Sequence, residues 1–320
     1  MSKVLVLGTR GSDLALAQAH MTRDQLASHG IEVRIEVIKT IGDKRPDLKL
    51  TEFAQGDSPV VDKGIFTKEL EEALLAGTID FAVHSLKDVP TELADGFEIC
   101  TTLPRAEIAD VMLSKDPEIG RDLKALGGKT IATSSVRRAR QLQWLCPEVN
   151  VVDIRGNVPT RIRKLIDNPD WDGILLARAG IERLGIFTPG QSTFEFEGAT
   201  VSATELEADV FLPAAGQGAI AMEIRSENTA AREALALINH EPTFRRVSAE
   251  RAFLALLQAG CQTPVGAHTW FEDDGETLAM AIRVFDEDDP DAAPVVGETR
   301  GPAESPEMLA DDLMNLMNRN

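Results

Sequence analysis

Three kinds of residue in this 320-residue chain could do chemistry together: a set of arginines, one carboxylate just before a proline, and one cysteine beside a glycine. The arginines fall directly after short apolar runs. Arg10 and Ser12 follow Val4 to Leu7, Ser134 to Arg138 follow Thr130 to Thr133, and Arg155 to Arg161 follow Val149 to Ile154. A guanidinium partly withdrawn from water needs a paired acceptor, and its planar fork of donors matches a carboxylate. A small polycarboxylate would satisfy the whole set, whereas a local Asp or Glu would serve any single member.

Asp88 lies in Ser85-Leu86-Lys87-Asp88-Val89-Pro90, after the apolar run Ile79 to Val83. Pro90 blocks an ordinary helix start, so the carboxylate is expected in an irregular loop at a strand end. An isolated Asp in such a place is commonly a turn residue. With arginines gathered around, it becomes the group able to stabilise a developing cation. Cys261 follows Gly260 and precedes Gln262-Thr263-Pro264-Val265-Gly266, a loop setting that suits a nucleophile or an attachment point. Without that setting a lone cysteine is a small buried hydrophobe.

The elements that must position these residues are legible in the spacing. A buried strand at Val4 to Leu7, a turn and an alanine-rich helix stopping at Gly30 are followed by alternating strand residues at Ile31 to Val37. Leu70, Ala73 and Leu74, with Phe66 a turn earlier, have helical spacing before the strand Ile79 to Val83. The strand, polar turn, helix pattern returns at Thr130 to Thr133, Val149 to Ile154 and Gly173 to Ala177. Repeated βα units imply mostly parallel, helix-covered sheets in two similar α/β domains, with a cleft at the strand ends. After Gly216-Gln217-Gly218 the pattern changes to a long helix over Phe244 to Ala259, a strand over Leu278 to Phe285 and an amphipathic stretch from Glu307 to Met317, which predicts a smaller α+β domain.

Composition narrows the classes. The length calls for two or three domains. Hydrophobic content of 43% and charged content of 27% suit a folded globular protein. Cys100, Cys146 and Cys261 are odd in number and far apart, against a disulfide framework or a structural zinc site, so a reducing cytoplasm is expected and no metal. The apolar run near Met1 is too short for a signal peptide and no run approaches a membrane span, so no membrane partner is expected. The net charge of −19 repels nucleic acid and resembles the acid-rich coats of proteins from salt-rich cytoplasm. Yet Lys129 to Lys164 holds eight basic and two acidic residues, while Phe271 to the end holds fourteen acidic and three basic. The acidic end reads as solvated surface; the basic stretch is reserved positive charge.

Two other readings stay open on these residues alone. A non-catalytic small-anion binder accounts for the arginines but not for Cys261. A cysteine-nucleophile enzyme needs a histidine near Cys261, and His268 is the candidate near it in sequence.

The ordered motifs resemble the porphobilinogen deaminase (hydroxymethylbilane synthase) family over nearly the whole chain. They are Thr9-Arg10-Gly11-Ser12, Lys63-Gly64-Ile65-Phe66, Ala82-Val83-His84-Ser85-Leu86-Lys87-Asp88-Val89-Pro90, Thr133-Ser134-Ser135-Val136-Arg137-Arg138, Arg155-Gly156-Asn157-Val158 with Arg161, Ala179-Gly180-Ile181 with Arg183, Gly216-Gln217-Gly218-Ala219, Glu250-Arg251-Ala252-Phe253 and Gly260-Cys261-Gln262. The resemblance implies two doubly wound α/β domains like those of type II periplasmic binding proteins plus a smaller α+β C-terminal domain. The expected boundaries are 1–104 plus 217–236, 105–212 and 240–320. It implies a monomeric transferase that polymerises four porphobilinogens, with loss of ammonia, onto a dipyrromethane cofactor attached through Cys261, and releases hydroxymethylbilane on hydrolysis. Asp88 matches the family's catalytic carboxylate. Arg10, Ser12, Lys87, Ser135, Arg137, Arg138, Arg155, Arg161, Arg183 and Gln217 match positions that bind the cofactor and substrate, with Thr133 and Phe66 as neighbours and His84 structural. Val61-Asp62 before Lys63, Thr263 and Glu182 depart from the family pattern and remove no residue the chemistry needs.

Overall fold

Short apolar runs become buried strands because each buries its side chains beneath flanking helices. The computed structural model describes residues 4–40, 67–259 and 263–318. In chain order β1 (Leu5–Thr9), α1 (Asp13–Ser28), β2 (Val33–Val37), α2 (Lys68–Leu75), β3 (Phe81–Ser85) and β4 (Phe97–Thr102) build the first unit. The chain then crosses to β5 (Asp110–Ser114), β6 (Thr130–Ala132), α3 (Val136–Leu145), β7 (Asn150–Val152), α4 (Val158–Asp167), β8 (Gly173–Ala177), α5 (Arg178–Arg183), β9 (Thr193–Phe196) and β10 (Ala199–Glu205). It returns for β11 (Ile220–Arg225) and α6 (Thr229–Ala236). It ends with α7 (Glu241–Leu256), β12 (Val265–Phe271), β13 (Thr277–Val284), β14 (Val295–Pro302) and α8 (Glu307–Met317).

The sheet orders are β2-β1-β3-β11-β4, β7-β6-β8-β5-β10-β9 and β12-β13-β14. Leu7, Phe81, Ile220 and Met222 are fully buried in the first core, Leu113, Ile174 and Val201 in the second, and Phe253, Met280 and Leu309 in the third. Each such side chain contributes about 1.5–3 kcal/mol by leaving water. The sheets are more mixed than the repeated βα pattern predicts. β11 runs antiparallel to both neighbours, and β5, β10 and β9 pair antiparallel. The cause is the connectivity: β5 and β11 open the two segments that cross between units, and β9 and β10 form a hairpin rather than a helix-linked pair. Register differs at one informative place. β3 runs two residues past the apolar run, so His84 and Ser85 lie within the strand, opposite Ala221 and Ile220.

The two crossing segments touch. Ala106 N donates to Gly218 O at 3.1 Å, and a Cβ on Gly218, whose φ is +83°, would stand 2.5 Å from Ala106 O. Only glycine allows that approach. Arg105 on the outgoing segment donates Nη1 and Nη2 to Glu250 of α7 at 2.7 and 2.9 Å, and Nε to Gln217 O on the return segment at 2.9 Å. Glu250 also accepts from Gly216 N at 2.7 Å and from Thr269 Oγ1 at 2.5 Å. Burial alone would raise the Glu250 carboxyl pKa; Arg105 beside it and these donors hold it low. One buried carboxylate thus joins both crossings to the third unit. Glu250→Ala leaves Arg105 buried and uncompensated, and a loss of about 3–5 kcal/mol is expected by denaturant unfolding; a loss below about 1 kcal/mol would show that the pair is not a structural junction.

Candidate functional site

The cleft residues stand where strands end and helices begin. Ser12 caps α1, its hydroxyl accepting from Ala15 N at 3.3 Å, and Ser135 caps α3, accepting from Arg138 N at 3.5 Å. Helix N-termini at strand ends present amide donors and partial positive charge to an anion. Leu86–Asp88 forms a single 3-10 turn directly after β3, closed by Val89 N donating to Leu86 O at 3.1 Å. The irregular loop expected from Pro90 is therefore one tight turn that leaves Asp88 exposed. Arg10, Ser12, Gln18, Thr67, His84 and Asp88 line one recess. His84 is nearly buried, with Nε2 2.8 Å from Glu223 Oε2, which fits its structural assignment.

The opposite wall is organised by Asp110, the first residue of β5, fully buried. Arg138 donates Nε and Nη2 to Asp110 Oδ1 at 3.2 and 2.7 Å and Nη1 to Leu175 O at 3.0 Å. Arg137 Nη2 is 2.8 Å from Asp110 Oδ2, an ion pair at an angle outside hydrogen-bond geometry, while its Nη1 donates to Leu212 O at 2.6 Å. Gln217 Nε2 donates to Asp110 Oδ1 at 3.0 Å and to Ile108 O at 2.7 Å. Its Oε1 accepts from Lys87 Nζ at 3.4 Å. Burial pushes the Asp110 carboxyl upward, but Arg137 and Arg138 outweigh it and hold it well below the usual carboxylate range.

The structure therefore divides the arginines. Arg137 and Arg138 have Asp110 as an internal acceptor, and Arg155 has Asp153 at 3.0 Å. Arg161 and Arg183 have carbonyl acceptors instead, Gly156 O at 2.7 Å and Gly218 O at 2.6 Å. Gly156 has φ +119° and a Cβ there would meet Thr160 Cγ2 at 2.7 Å, so the turn that receives Arg161 requires glycine. Desolvation pulls both guanidinium pKa values down to about 10; at Arg161 the neighbours Arg138 and Arg155 add to this and Asp88 opposes it. Arg161 of the second unit thus shares an electrostatic neighbourhood with Asp88 of the first, across the cleft.

Asp110 and Arg105 were not singled out from the sequence, and Glu250 entered only as part of a motif with no role. The signal for Asp110 was an acid opening the apolar run Val111-Met112-Leu113, which is costly unless paired. Cys261, Phe66 and Lys63 lie outside the described residues, as do Val61 and Asp62. Of the described cysteines, Cys146 is buried, and desolvation raises Cys100 to about 11, leaving it a thiol. His268, the partner a cysteine nucleophile would need, packs against Trp270 with ring centroids 5.1 Å apart and the planes tilted by 46°, and burial followed by Arg246 lowers its pKa to about 4.

Two mixed α/β units meet at a cleft where guanidinium and hydroxyl donors gather near one exposed carboxylate, a donor set of the class that suits small polyanions. Family models for the porphobilinogen deaminase dipyrromethane cofactor binding domain and C-terminal domain match residues 5–233 and 244–318. A porphobilinogen deaminase of Nitratidesulfovibrio vulgaris is 43% identical over 287 residues, covering 89% of this chain and 83% of that protein. One of Carboxydothermus hydrogenoformans is 38% identical over 320 residues, covering 98% of this chain and 94% of that protein. Among solved structures, a periplasmic substrate-binding protein from Coxiella burnetii is 14% identical, with TM-score 0.42, over 78% of this chain and 97% of that one. This chain belongs to the porphobilinogen deaminase family.

Lys87 is open to solvent yet ringed by protein, and desolvation lowers it from 10.5 to about 8, with Asp88 opposing. Between those values the unfolded chain keeps the proton and the folded one releases it, so this group makes stability rise with pH there. If Lys87 receives a substrate carboxylate, its effect on binding has the opposite sign, because the positive charge is lost as pH rises. kcat/KM for porphobilinogen is expected to fall through about pH 8, and Lys87→Met is expected to abolish that limb. An unchanged limb in the variant would assign it to another group.

Proposed function

We propose that this chain joins porphobilinogen molecules head to tail with loss of ammonia, on a dipyrromethane attached through Cys261, and releases hydroxymethylbilane on hydrolysis. Family membership along the chain supports the reaction. The observation that carries the residue assignment is that Asp88 shares a recess with Arg10 and Ser12 while facing Lys87 and Arg161 electrostatically.

The chemistry asks for this arrangement. Breaking the aminomethyl C–N bond sends the electron pair out with ammonia and leaves a delocalised azafulvenium cation on the pyrrole. A fixed carboxylate lowers the cost of that charge and needs no reorganisation as it develops. Asp88 also relays protons, giving one to the departing amine and taking one from the attacked pyrrole carbon. Arg10, Arg155, Arg161, Arg183 and Lys87, with Ser12 and Ser135, take the acetate and propionate groups; Arg137 and Arg138 give such a group the donors Asp110 leaves over. Gln217 sits between the two walls and holds Lys87 toward them.

This donor set fits a dipyrromethane, whose acetate and propionate carboxylates match the guanidinium, ammonium and hydroxyl donors of the cleft. When bound, that group supplies the nucleophilic pyrrole carbon for the first addition. The segment leading to Cys261 ends beside the Asp88 loop, since Thr91 Oγ1 donates to Ala259 O at 3.3 Å.

We divide the chain at 1–104 plus 217–236, 105–212 and 240–320, in keeping with the three sheets. The acidic coat and unpaired Cys100 and Cys146 support a monomer in a reducing, salt-rich cytoplasm, with no nucleic-acid or membrane partner.

Incubation with porphobilinogen is expected to give ammonia and bilane, and intact mass is expected to exceed the bare chain by a dipyrromethane, an excess lost in Cys261→Ala. Asp88→Ala is expected to retain carboxylate binding and lose at least about a hundredfold in turnover. Active protein of bare-chain mass would refute the tether, and near-normal turnover in Asp88→Ala would refute the carboxylate's role.

A further inference from the structure

Arg251 of α7 is a part-buried cation with an unusual set of acceptors. Its Nη2 donates to Pro90 O and to Thr91 O, each at 2.9 Å. Among the described residues no carboxylate lies within ion-pair distance of it, and no other donor reaches either carbonyl. Burial lowers the Arg251 pKa, with the Glu223 carboxylate opposing from beyond ion-pair distance; its hydrogen bonds go to neutral oxygens, which offset the desolvation of a guanidinium poorly. Those oxygens lie two and three residues beyond Asp88. Thr91 then extends the link, its hydroxyl donating at 3.3 Å to the carbonyl of Ala259, two residues before Cys261.

The other side of the loop is held separately. Leu86 N donates to Ala219 O at 3.1 Å, and the 3-10 turn closes on Val89 N. The Asp88 turn is therefore fixed at its start by the return crossing and at its end by the third unit. Only the second fixture, Arg251 with Thr91, also reaches the segment that leads into Cys261.

We propose that Arg251 is a positioning residue for the condensation: it fixes the Asp88 turn against the third unit at Ala259, and so holds the carboxylate in place for the reacting pyrrole. The inference rests on the reading of Asp88 and Cys261 given above. Among the described residues the hydrogen bonds of Arg251 go to Pro90 and Thr91, and through Thr91 the link reaches Ala259. Loss of its donors frees the loop without removing any group that takes a substrate carboxylate, so turnover suffers while substrate affinity is spared.

The test uses the full-length enzyme, with its cofactor load verified by intact mass. Arg251→Met keeps the length and removes the donors. Its kcat is expected to fall on the order of ten- to a hundredfold, the range associated with small misplacement of a catalytic group, with KM within about threefold of the parent. Arg251→Lys, which restores a charged donor to the carbonyls, is expected to recover part of kcat. Thr91→Val is expected to lose kcat in the same sense but by less. The proposal is overturned if loaded Arg251→Met keeps kcat within about twofold, if KM rises in proportion to the loss, or if lysine rescues nothing. Should the methionine variant fail to fold or load, Arg251→Lys and Thr91→Val decide, and parental kcat in both overturns it. Asp88→Asn separates the two readings: full turnover in that variant removes the role of Asp88, whereas an inactive Asp88→Asn beside an unaffected Arg251→Met removes only the role of Arg251.

Discussion

The fully buried ion pairing of Asp110 with Arg137 and Arg138 sets the electrostatics of the cleft. Two guanidinium groups withdrawn from water would be prohibitively costly alone. Placing one carboxylate between them lets both remain charged and holds them in a fixed orientation, with the Leu175 and Leu212 carbonyls as further acceptors. Gln217 then joins this cluster to Lys87, the residue before Asp88, so the charge on one wall and the acid on the other are linked through a single amide. A site prepared in this way meets an anion without reorganising, which is the condition for electrostatic catalysis in a partly desolvated cleft.

The same economy governs the joints. The crossings between units converge on Gly218, where no side chain would fit, and on the Arg105–Glu250 pair, which also draws in α7 and β12 through Thr269. The third unit touches the second as well: Arg283 of β13 donates to Gln141 Oε1 at 3.0 Å and stacks 4.5 Å over Trp144 of α3. Since α3 carries Arg137 and Arg138 at its start, the helix that presents cleft charge also anchors the third unit. Motion of either unit must therefore act on elements that shape the site.

Much of this was legible in the sequence. The strand at Gly173 to Ala177 and the helix at Glu307 to Met317 fall where the apolar spacing puts them, and the arginines do follow strand ends. The antiparallel course of β5 and β11 was not legible, because pairing direction depends on which unit a returning segment joins and not on local spacing. Nor was the partner of each arginine. Asp110 is 27 positions from Arg137, and a long-range ion pair leaves no periodic trace; the family motifs name the two arginines but not the acid that holds them. The extension of β3 through Ser85 was hidden for a similar reason, since His84 is polar in sequence and is buried only because Glu223 of β11 meets it.

An electrostatically prepared cleft with Asp88 facing the reacting carbon makes a definite demand on the liganded protein. A crystal structure of the cofactor-loaded chain with a substrate analogue tests it most directly. Asp110 is expected still bound to Arg137 and Arg138, with ligand carboxylates on Arg10, Arg155 and Arg161 and the Asp88 carboxylate within about 3 Å of a pyrrole N–H beside the reacting carbon. Ligand carboxylates displacing Asp110 from its arginines, or Asp88 turned out to solvent away from the pyrroles, would contradict it.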